Sequence, residues 1–576
     1  MKKLLKYLKG SSIFFAIVAP IAMILEVSMD LLQPTLMSKI IDIGVAKGDL
    51  NYVFKVGLYM IITAILGVVG GILCSVFASI ASMEMAKNLR EGLFDKINKL
   101  SFKEVDKLKT SSLITRLTND VTQVQQMVNM TLRAAVRAPL MAIGGMVMAF
   151  NLSRDLSSIF LIAIPIIVCG IVFILKKSMP LFTKVQNKID DINLVMRENI
   201  LGVRVIKAFN LENNENNRFI NKNNELTNSS IESQNMNISL WPFAALIMNL
   251  SVVSVLWFGG NMVAKGNLEV GKIMAFINYL IQIMNSTIMV IGLMMNFSRA
   301  KASADRIVEV LEVDSSIVEI EKPKEINNYD LEFRNVNFKY NEDSEEVLEN
   351  ISFKINAGET VGIIGPTGAG KSSLISLIPR LYDVTKGEIL LGGENIKDLS
   401  LRDIRENIGV VLQDNILFSG SIEDNIKFGN NNATLEEMDK NAKDAQAFEF
   451  IDNKKYKYKE RIEQRGKNLS GGQKQRLSIT RTLVRNPKIL IMDDSSSALD
   501  METQSKLQES IRNRKDGASV ITIAQRISAV MDADKIIVLN DGRISDIGTH
   551  KELISKNEIY RSIALSQLGE EVLVNV

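Results

Sequence analysis

The segment GPTGAGKSS, Gly365 to Ser373, has the residue types and spacing of a phosphate-binding loop. It stands between the β-like run ETVGII and the apolar helix-like run SLISLIPRLY, a context that disfavours an ordinary glycine-rich turn. Glycines let backbone N–H groups face phosphates at a helix N-terminus, Lys371 reaches the β- and γ-phosphates, and Ser372 offers a hydroxyl to Mg²⁺. The predicted nucleotide-binding residues of this loop are Gly365, Pro366, Thr367, Gly368, Ala369, Gly370, Lys371, Ser372 and Ser373.

Two further segments carry groups suited to phosphate chemistry. The run KILIMDD, Lys488 to Asp494, is typical of a buried parallel strand that ends in two carboxylates. Carboxylates at the carboxyl edge of an α/β sheet are placed to hold Mg²⁺, and we predict that Asp493 has this role. The segment NLSGGQKQR, Asn468 to Arg476, has a serine and paired glycines that can present a hydroxyl and backbone N–H groups to a phosphate at a helix start.

The sequence LSGGQ, Leu469 to Gln473, lying between a phosphate-binding loop and such a strand, resembles the signature of ATP-binding-cassette proteins. The resemblance covers almost the whole chain and implies an ATPase-coupled transmembrane transporter that uses ATP and Mg²⁺. Membrane spans placed before the nucleotide domain are similar to the exporter arrangement rather than to the usual multi-subunit importer. The family also pairs two nucleotide domains head to tail, so that each ATP lies between one chain's phosphate-binding loop and the other chain's LSGGQ.

The resemblance implies roles for several other residues. Tyr340 in NFKYN resembles the aromatic that stacks on adenine, although an ordinary strand aromatic would look the same. Gln413 in VVLQD resembles the lid glutamine that meets Mg²⁺ and senses the membrane domain. The remaining implied nucleotide contacts are Ser470, Gly471, Gly472 and Gln473 of the signature, and Asp500 in the loop with Ser497 and Ala498 that crosses between two such domains.

Two departures from the family pattern fall on the catalytic positions. Asp494 stands where the family usually has glutamate, and Gln525 stands where it usually has histidine. Aspartate is one methylene shorter, and a shift of about 1 Å in a general base costs on the order of a hundredfold in rate. Glutamine can hydrogen-bond a γ-phosphate but cannot carry a proton as imidazole does. The sequence therefore predicts a site that binds ATP and hydrolyses it poorly.

This combination predicts a directional pairing with a second half-transporter. The intact LSGGQ would complete a competent site on a partner, while this chain's own phosphate-binding loop, Asp494 and Gln525 would form the impaired site. Our hypothesis is a heterodimer whose partner supplies the catalytic glutamate and histidine, because a symmetric homodimer would have two impaired sites.

Length and composition indicate how the chain is divided into domains. A chain of 576 residues is too long to fold around one hydrophobic core, and its apolar residues are concentrated before about residue 300. We predict an all-α transmembrane domain over 1–310, a linker over 311–329 and an α/β nucleotide-binding domain over 330–576. A net charge of +3 gives no reason to expect a nucleic-acid partner. The partners expected are the lipid bilayer, a small-molecule cargo and the second half-transporter.

Six stretches are apolar enough to cross a bilayer, which takes about 20 residues of helix. Lysines precede the first stretch, and the connections 84–137 and 176–237 are long and basic, so the N-terminus and both connections are predicted to be cytoplasmic. Helical spacing predicts that these connections are helices extending from the membrane and turning near 101–107 and 204–212, rather than disordered loops. The six stretches are about 11–37, 56–83, 138–153, 156–175, 238–264 and 273–298, the third being short unless it starts before Arg137.

Charged residues in the first span and methionines in the sixth span are candidates for the cargo site. Glu26 and Asp30 lie four residues apart in the first span, where charge is costly and often functional, so they could bind cationic compounds. Alternatively, the helix extends past the outer leaflet there, or a neighbouring span pairs these carboxylates. Met284 and Met294 in the sixth span suit a cavity for varied apolar shapes, but methionine is equally common as lipid-facing filler.

The function expected is ATP-driven export of small amphipathic or hydrophobic compounds, of the multidrug type, across the cell membrane by alternating access. Export of a lipid or a peptide is the alternative within transport. A nucleotide-gated regulatory membrane subunit is an alternative of a different class. A soluble P-loop kinase is disfavoured by the six spans and by LSGGQ.

Overall fold

The computed structural model describes residues 2–494, 499–514 and 517–568, and for Lys2, Ile291, Gly292, Met294 and Met295 it describes only the backbone. The chain forms two compact units. The first comprises Met1–Asn98 and Thr110–Val313, and the second comprises Lys99–Lys109 and Asp314–Val576. Both parts of the predicted fold class are confirmed, since the first unit is helical with six potential membrane spans and the second is α/β.

Long helices build the first unit. Among the described residues, six helices are long and apolar enough to span a membrane, as predicted. A 3₁₀ helix over Lys2–Tyr7 precedes the first span, and π-helical turns occupy Ile40–Val45 and Arg116–Asp120. The α-helices up to the end of this unit are α1 (Ser11–Lys39), α2 (Leu50–Lys99), α3 (Phe102–Leu108), α4 (Thr110–Thr115), α5 (Val121–Leu152), α6 (Arg154–Leu201), α7 (Val203–Ala208), α8 (Glu212–Ile238), α9 (Leu240–Ala264) and α10 (Val270–Glu312).

The long connections are continuous with the spans. Helix α2 runs 50 residues and α6 runs 48, far more than the roughly 20 that a bilayer needs. The third span is not short, because α5 begins at Val121 and carries Arg137 inside it. The expected turns are the short helices α3 and α7. Of these, α3 belongs to the second unit.

In the first unit, helix α10 is bonded to the π-helical turn Arg116–Asp120, which leads directly into α5. Arg306 on α10 donates from Nε to Asp120 Oδ2 at 2.8 Å, and Asp120 is buried. Arg116 donates to the Arg306 carbonyl at 2.8 Å and pairs with Glu309 at 2.8 Å. A buried carboxylate needs such compensation, so this cluster fixes the register between the two helices.

The second unit contains three sheets. A six-stranded sheet has the order β12-β11-β3-β10-β9-β6, in which all neighbours are parallel except β12. An antiparallel sheet has the order β2-β1-β4-β5, and β7 pairs with β8. The strands are β1 (Leu331–Phe338), β2 (Leu348–Ile355), β3 (Thr360–Ile364), β4 (Lys386–Leu391), β5 (Glu394–Asn395), β6 (Ile408–Val411), β7 (Gly420–Ser421), β8 (Arg461–Ile462), β9 (Ile489–Asp493), β10 (Ser519–Ile523), β11 (Lys535–Asn540) and β12 (Arg543–Gly548).

Helices cover the six-stranded sheet, which explains why its central strands are mainly apolar. Every residue of β9 is buried, as expected for a parallel strand with both faces covered. The carboxyl ends of β3, β6 and β9 therefore meet at one edge, where the loops that follow them come together. The helices of this unit, besides α3, are α11 (Lys371–Leu377), α12 (Leu401–Asn407), α13 (Ile422–Lys427), α14 (Leu435–Asp444), α15 (Phe448–Asp452), α16 (Gly471–Leu483), α17 (Met501–Arg512), α18 (His550–Lys556) and α19 (Glu558–Leu568).

Candidate nucleotide-binding site

The loop from Gly365 to Gly370 connects β3 to α11 as the sequence predicted. A Cβ atom on Gly365 would lie 2.1 Å from the Leu539 carbonyl oxygen, so the neighbouring strand leaves no room for a side chain. Gly370 has φ of +92°, and a Cβ there would lie 2.7 Å from Leu348. Glycine is thus required at both ends, and the backbone is free to approach a phosphate closely.

Lys371 lies inside this loop. Its Nζ donates to the carbonyl oxygens of Gly365 and Pro366, each at 2.8 Å, and the side chain is buried. Burial lowers the pKa of Lys371, and the charges of Asp493 and Asp494 act in the opposite direction. A phosphate would give this lysine an anionic partner in the same place, so the cradle fits a nucleotide.

Asp493 and Ser372 come together at the sheet edge. Burial, then the neighbouring Asp494, raises the pKa of Asp493, whereas a hydrogen bond from Ser372 and the charge of Lys371 lower it. Gln413 follows β6, whose Val411 pairs with Met492 of β9, so Gln413 lies at the same edge. Among the described residues, no three His, Cys, Asp or Glu side chains cluster as metal ligands. A metal here would depend on phosphate oxygens as well as on protein groups, as Mg²⁺ commonly does.

The two departures from the family pattern are in contact. Gln525 Nε2 donates to Asp494 Oδ2 at 3.4 Å. The backbone of Asp494 has φ of +43°, and it is held by its N–H bond to the Ile523 carbonyl at 2.9 Å and by Gln475 Nε2, which donates to its carbonyl at 3.3 Å. The short carboxylate therefore sits on a restrained backbone and cannot advance easily toward a substrate.

The signature segment forms the N-terminus of α16. Ser470 is the N-cap: its Oγ accepts from Gln473 N–H at 3.3 Å, while Gln473 Oε1 accepts from Ser470 N–H at 3.1 Å. This capping box leaves Gly471 and Gly472 in the first helical turn, where N–H groups point outward. The segment can present a hydroxyl and a helix N-terminus to an anion.

Asp500 caps a second helix nearby in sequence. It accepts from Thr503 N–H at 3.1 Å as the N-cap of α17, and these hydrogen bonds from Thr503 lower its pKa. Ser497 and Ala498, which belong to the same predicted loop, lie outside the described residues.

Tyr340 lies beside the phosphate-binding loop and is linked to α3. Its hydroxyl shares a hydrogen bond with Ser373 Oγ at 2.8 Å, and its ring packs edge-on against Tyr382 with centroids 5.3 Å apart. Tyr382 donates to Asp106 Oδ2 on α3 at 2.6 Å. Burial, then this carboxylate, raises the pKa of Tyr382, so the phenol stays protonated and remains a donor.

Sequence reasoning missed Asp106, Tyr382 and Gln567. Gln567 on α19 donates to the Gln525 carbonyl at 2.7 Å and accepts from Ile527 N–H at 2.8 Å, so it holds the loop that carries Gln525. No local pattern identifies these three residues, because each acts through a contact distant in sequence. The nearest signal was the expected turn at 101–107.

The residues predicted for the cargo lie in the first unit. Arg137 on α5 pairs with Glu26 and, at 3.0 Å, with Asp30, so a neighbouring span does pair these carboxylates. Met284 does not face a cavity: it is 1% exposed and packs in the apolar core of the bundle. The side chain of Met294 lies outside the described residues.

Both units contain segments that match known protein families. Residues 16–287 match the family model for the ABC transporter transmembrane region, and residues 348–497 match the model for ABC transporter. The chain is similar to "Uncharacterized ABC transporter ATP-binding protein YfiB" of Bacillus subtilis (strain 168), with 41% identity over 571 residues and 99% of each chain covered. It is 34% identical to "Putative multidrug export ATP-binding/permease protein YgaD" of the same organism, over 84% of each chain.

A solved structure has the same overall fold. This is "Structure of a bacterial Atm1-family ABC exporter with ATP bound", with a TM-score of 0.83 and 26% identity, covering 97% of this chain and 100% of that one.

Proposed function

Because this chain belongs to the ABC transporter family, as an ATPase-coupled exporter half-transporter with its ATP-binding domain in the cytoplasm, we propose that it is the impaired-site subunit of a heterodimer that exports small amphipathic compounds. The observation that carries the proposal is the contact between Asp494 and Gln525 at 3.4 Å, because the two catalytic positions hold a carboxylate that is one methylene short and an amide that does not transfer protons.

The chemistry of this pair favours nucleotide binding over hydrolysis. A general base must reach the attacking water, and Asp494 is short and held by Gln475 and Gln525. Gln525 can donate a hydrogen bond from its amide N–H, but an amide neither takes up nor releases a proton near neutral pH. Lys371 and the backbone of the phosphate-binding loop are intact, so the site binds ATP but releases its γ-phosphate slowly.

Three other residues of the site are suited to binding Mg²⁺. Ser372 and Asp493 are the side chains that would hold it, with Gln413 at the same sheet edge. When bound, Mg²⁺ neutralises phosphate charge.

The partner's site depends on this chain's signature. Ser470 and the first turn of α16 form a complete capping box, so the N–H groups that would face a partner's ATP are ordered. ATP bound across both sites would close the two nucleotide domains, and hydrolysis at the partner's site would reopen them.

Two short helices suit the transmission of this closure to the membrane spans. Helix α3 is fixed in the second unit by the Asp106–Tyr382 hydrogen bond and by the Phe102 ring, whose centroid is 6.2 Å from that of Tyr382. Helix α7 has exposed apolar residues around it, including Leu201 and Phe209. We infer that α7 docks on the partner's nucleotide domain, because exposed apolar side chains at a helix tip favour an interface.

The cargo class follows from the membrane unit and from similarity to a relative named as a putative multidrug exporter. Within the described residues, Arg137 pairs with both Glu26 and Asp30, so these carboxylates are not a free anionic pair of the kind that would select simple cations. Amphipathic compounds have both apolar and polar parts, so they suit spans that are mainly apolar and contain these paired charges.

Transport in inverted membrane vesicles tests this function. Vesicles with the full-length chain and its co-purified subunit should take up an amphipathic dye when ATP is added. The Tyr382→Phe variant should transport several-fold less dye per ATP hydrolysed, because it loses a hydrogen bond to a charged group worth about 2 kcal/mol that holds α3.

The matched control is Tyr458→Phe, which removes a similar bond to Asp439 (2.7 Å) elsewhere in the second unit. It should leave the ratio of transport to hydrolysis unchanged. Absence of ATP-dependent uptake would refute the export function, and equal ratios in both variants would refute the role of Tyr382.

A further inference from the structure

A cavity of about 830 Å³ with a mixed apolar and polar lining lies in the first unit between α1, α2, α5 and α10. Its charged lining residues are Glu26, Asp30, Arg133 and Arg137. The lining otherwise mixes apolar side chains with a few polar ones, such as Gln33. This mixture differs from the lipid-facing surfaces of α2, which are apolar.

The cavity is deep in the membrane. Ser75 of α2 also lines it and is nine residues from Glu84, the first charged residue after the uncharged stretch of the second span. At 1.5 Å per residue this places Ser75 about 14 Å from the inner end of that stretch. Charged groups at this depth are costly unless they are paired or in contact with water or a ligand.

Two glycines let α1 approach α2 at this level. A Cβ on Gly71 would lie 2.9 Å from Glu26 Oε2, and a Cβ on Gly70 would lie 3.0 Å from the Ala22 carbonyl oxygen. The close approach places Glu26 between the two helices, where Arg137 reaches it. The charged cluster is therefore built into the packing of the spans.

The charges in the cavity are separated along its length. Arg137 pairs with both Glu26 and Asp30, so these three groups have one excess negative charge. Arg133 lies one helical turn, about 6 Å, closer to the cytoplasm than Arg137. Within the described part of the chain, Arg133 is exposed and makes no side-chain hydrogen bond or ion pair. The cavity is neutral in sum but has a positive end and a negative end.

We propose that this cavity binds a zwitterionic amphiphile, with its anionic group at Arg133 and its ammonium group at Asp30. The proposal rests on the proposed export function and names the chemical class of its cargo. A head group with the two charges a few bonds apart can span one helical turn, and its alkyl part would lie against the apolar lining of α2.

A ligand with only an anionic group or only a cationic group fits the cavity less well. An anion at Arg133 would leave the excess charge of Asp30 uncompensated at membrane depth, and a cation at Asp30 would leave Arg133 uncompensated. The hypothesis of cationic cargo considered Glu26 and Asp30 alone, whereas the cavity also contains Arg133 and Arg137.

Binding of three probes without ATP tests the proposal. The probes share one fluorescent alkyl chain and differ in head group: phosphocholine, trimethylammonium or phosphate. The full-length transporter, purified with its accompanying subunit in a maltoside detergent, should bind the phosphocholine probe about tenfold more tightly than either other probe. Arg133→Gln should shift the preference to trimethylammonium, and Asp30→Asn should shift it to phosphate.

Arg154→Gln is the matched control, since Arg154 lies outside the cavity as the first residue of α6. It should leave the order of affinities unchanged. The same order of affinities in the wild type and all three variants would overturn the proposal. It would also be overturned if Arg133→Gln dissociated the subunits without changing any affinity.

Competition identifies the source of the zwitterion. Displacement by phosphatidylcholine vesicles alone indicates a membrane lipid, and displacement by a soluble single-chain phosphocholine alone indicates a free amphiphile. Displacement by neither overturns the proposal. Probe binding with the expected preferences but no ATP-driven uptake would refute export and leave the cavity assignment intact, whereas uptake with unchanged preferences would refute only the cavity assignment.

Discussion

The Ser470→Asp variant is expected to lower the ATPase rate of the paired transporter by about a hundredfold or more. Aspartate is as good an N-cap as serine, so α16 should keep its first turn. The new carboxylate would face the partner's ATP from the position of the Ser470 hydroxyl and would repel its phosphates. Loss of a single donor to developing charge already costs about 10² to 10³ in rate, and a negative charge acts in the same direction.

Ser470→Asn is the control for this prediction. Asparagine has almost the shape of aspartate and caps a helix equally well, but it adds no charge. Its ATPase rate should fall by less than about tenfold. If the two variants lose activity equally, the signature of this chain acts only as a helix cap, and it does not complete a partner's site.

Restoring both catalytic groups has the second large effect. The double variant Asp494→Glu with Gln525→His is expected to raise ATP turnover at this chain's own site by at least about tenfold. Glutamate extends the carboxylate by one methylene toward the water, and histidine can carry a proton near neutral pH. Both changes are needed, because Gln525 now donates to Asp494 and a lone glutamate would meet the same amide.

The single variants serve as controls for the double one. Each should raise turnover by less than about threefold, while ATP affinity stays within a similar factor because Lys371 is untouched. A double variant no faster than the wild type would show that another feature limits this site. Additive effects of the singles would show that Asp494 and Gln525 act independently.

The nucleotide site could be predicted from sequence wherever the chemistry is local. Gly365 to Ser373 is contiguous and fits only one kind of turn, so its strand and helix context were sufficient. The place of Asp493 at the sheet edge followed from one buried strand. The number of spans followed from hydropathy alone.

Contacts between distant segments could not be predicted in this way. The sequence left open whether Glu26 and Asp30 are free or paired, because Arg137, about 110 positions away, is brought to them only by the packing of α5 on α1. Met284 resembled a cavity residue, but its rotation about α10 directs it into the core. The Asp106–Tyr382 bond joins residues 276 positions apart. In each case the partner was decided by tertiary packing rather than by spacing along the chain.

ATP turnover by the wild-type chain purified without a partner is the most direct test of an impaired site, measured together with ATP binding on the same sample. For an impaired site we predict ATP binding that depends on Lys371 and a turnover rate far below the roughly 1 to 10³ per second of ordinary enzymes. Turnover in that ordinary range, unchanged when Asp494 is replaced by asparagine, would contradict it.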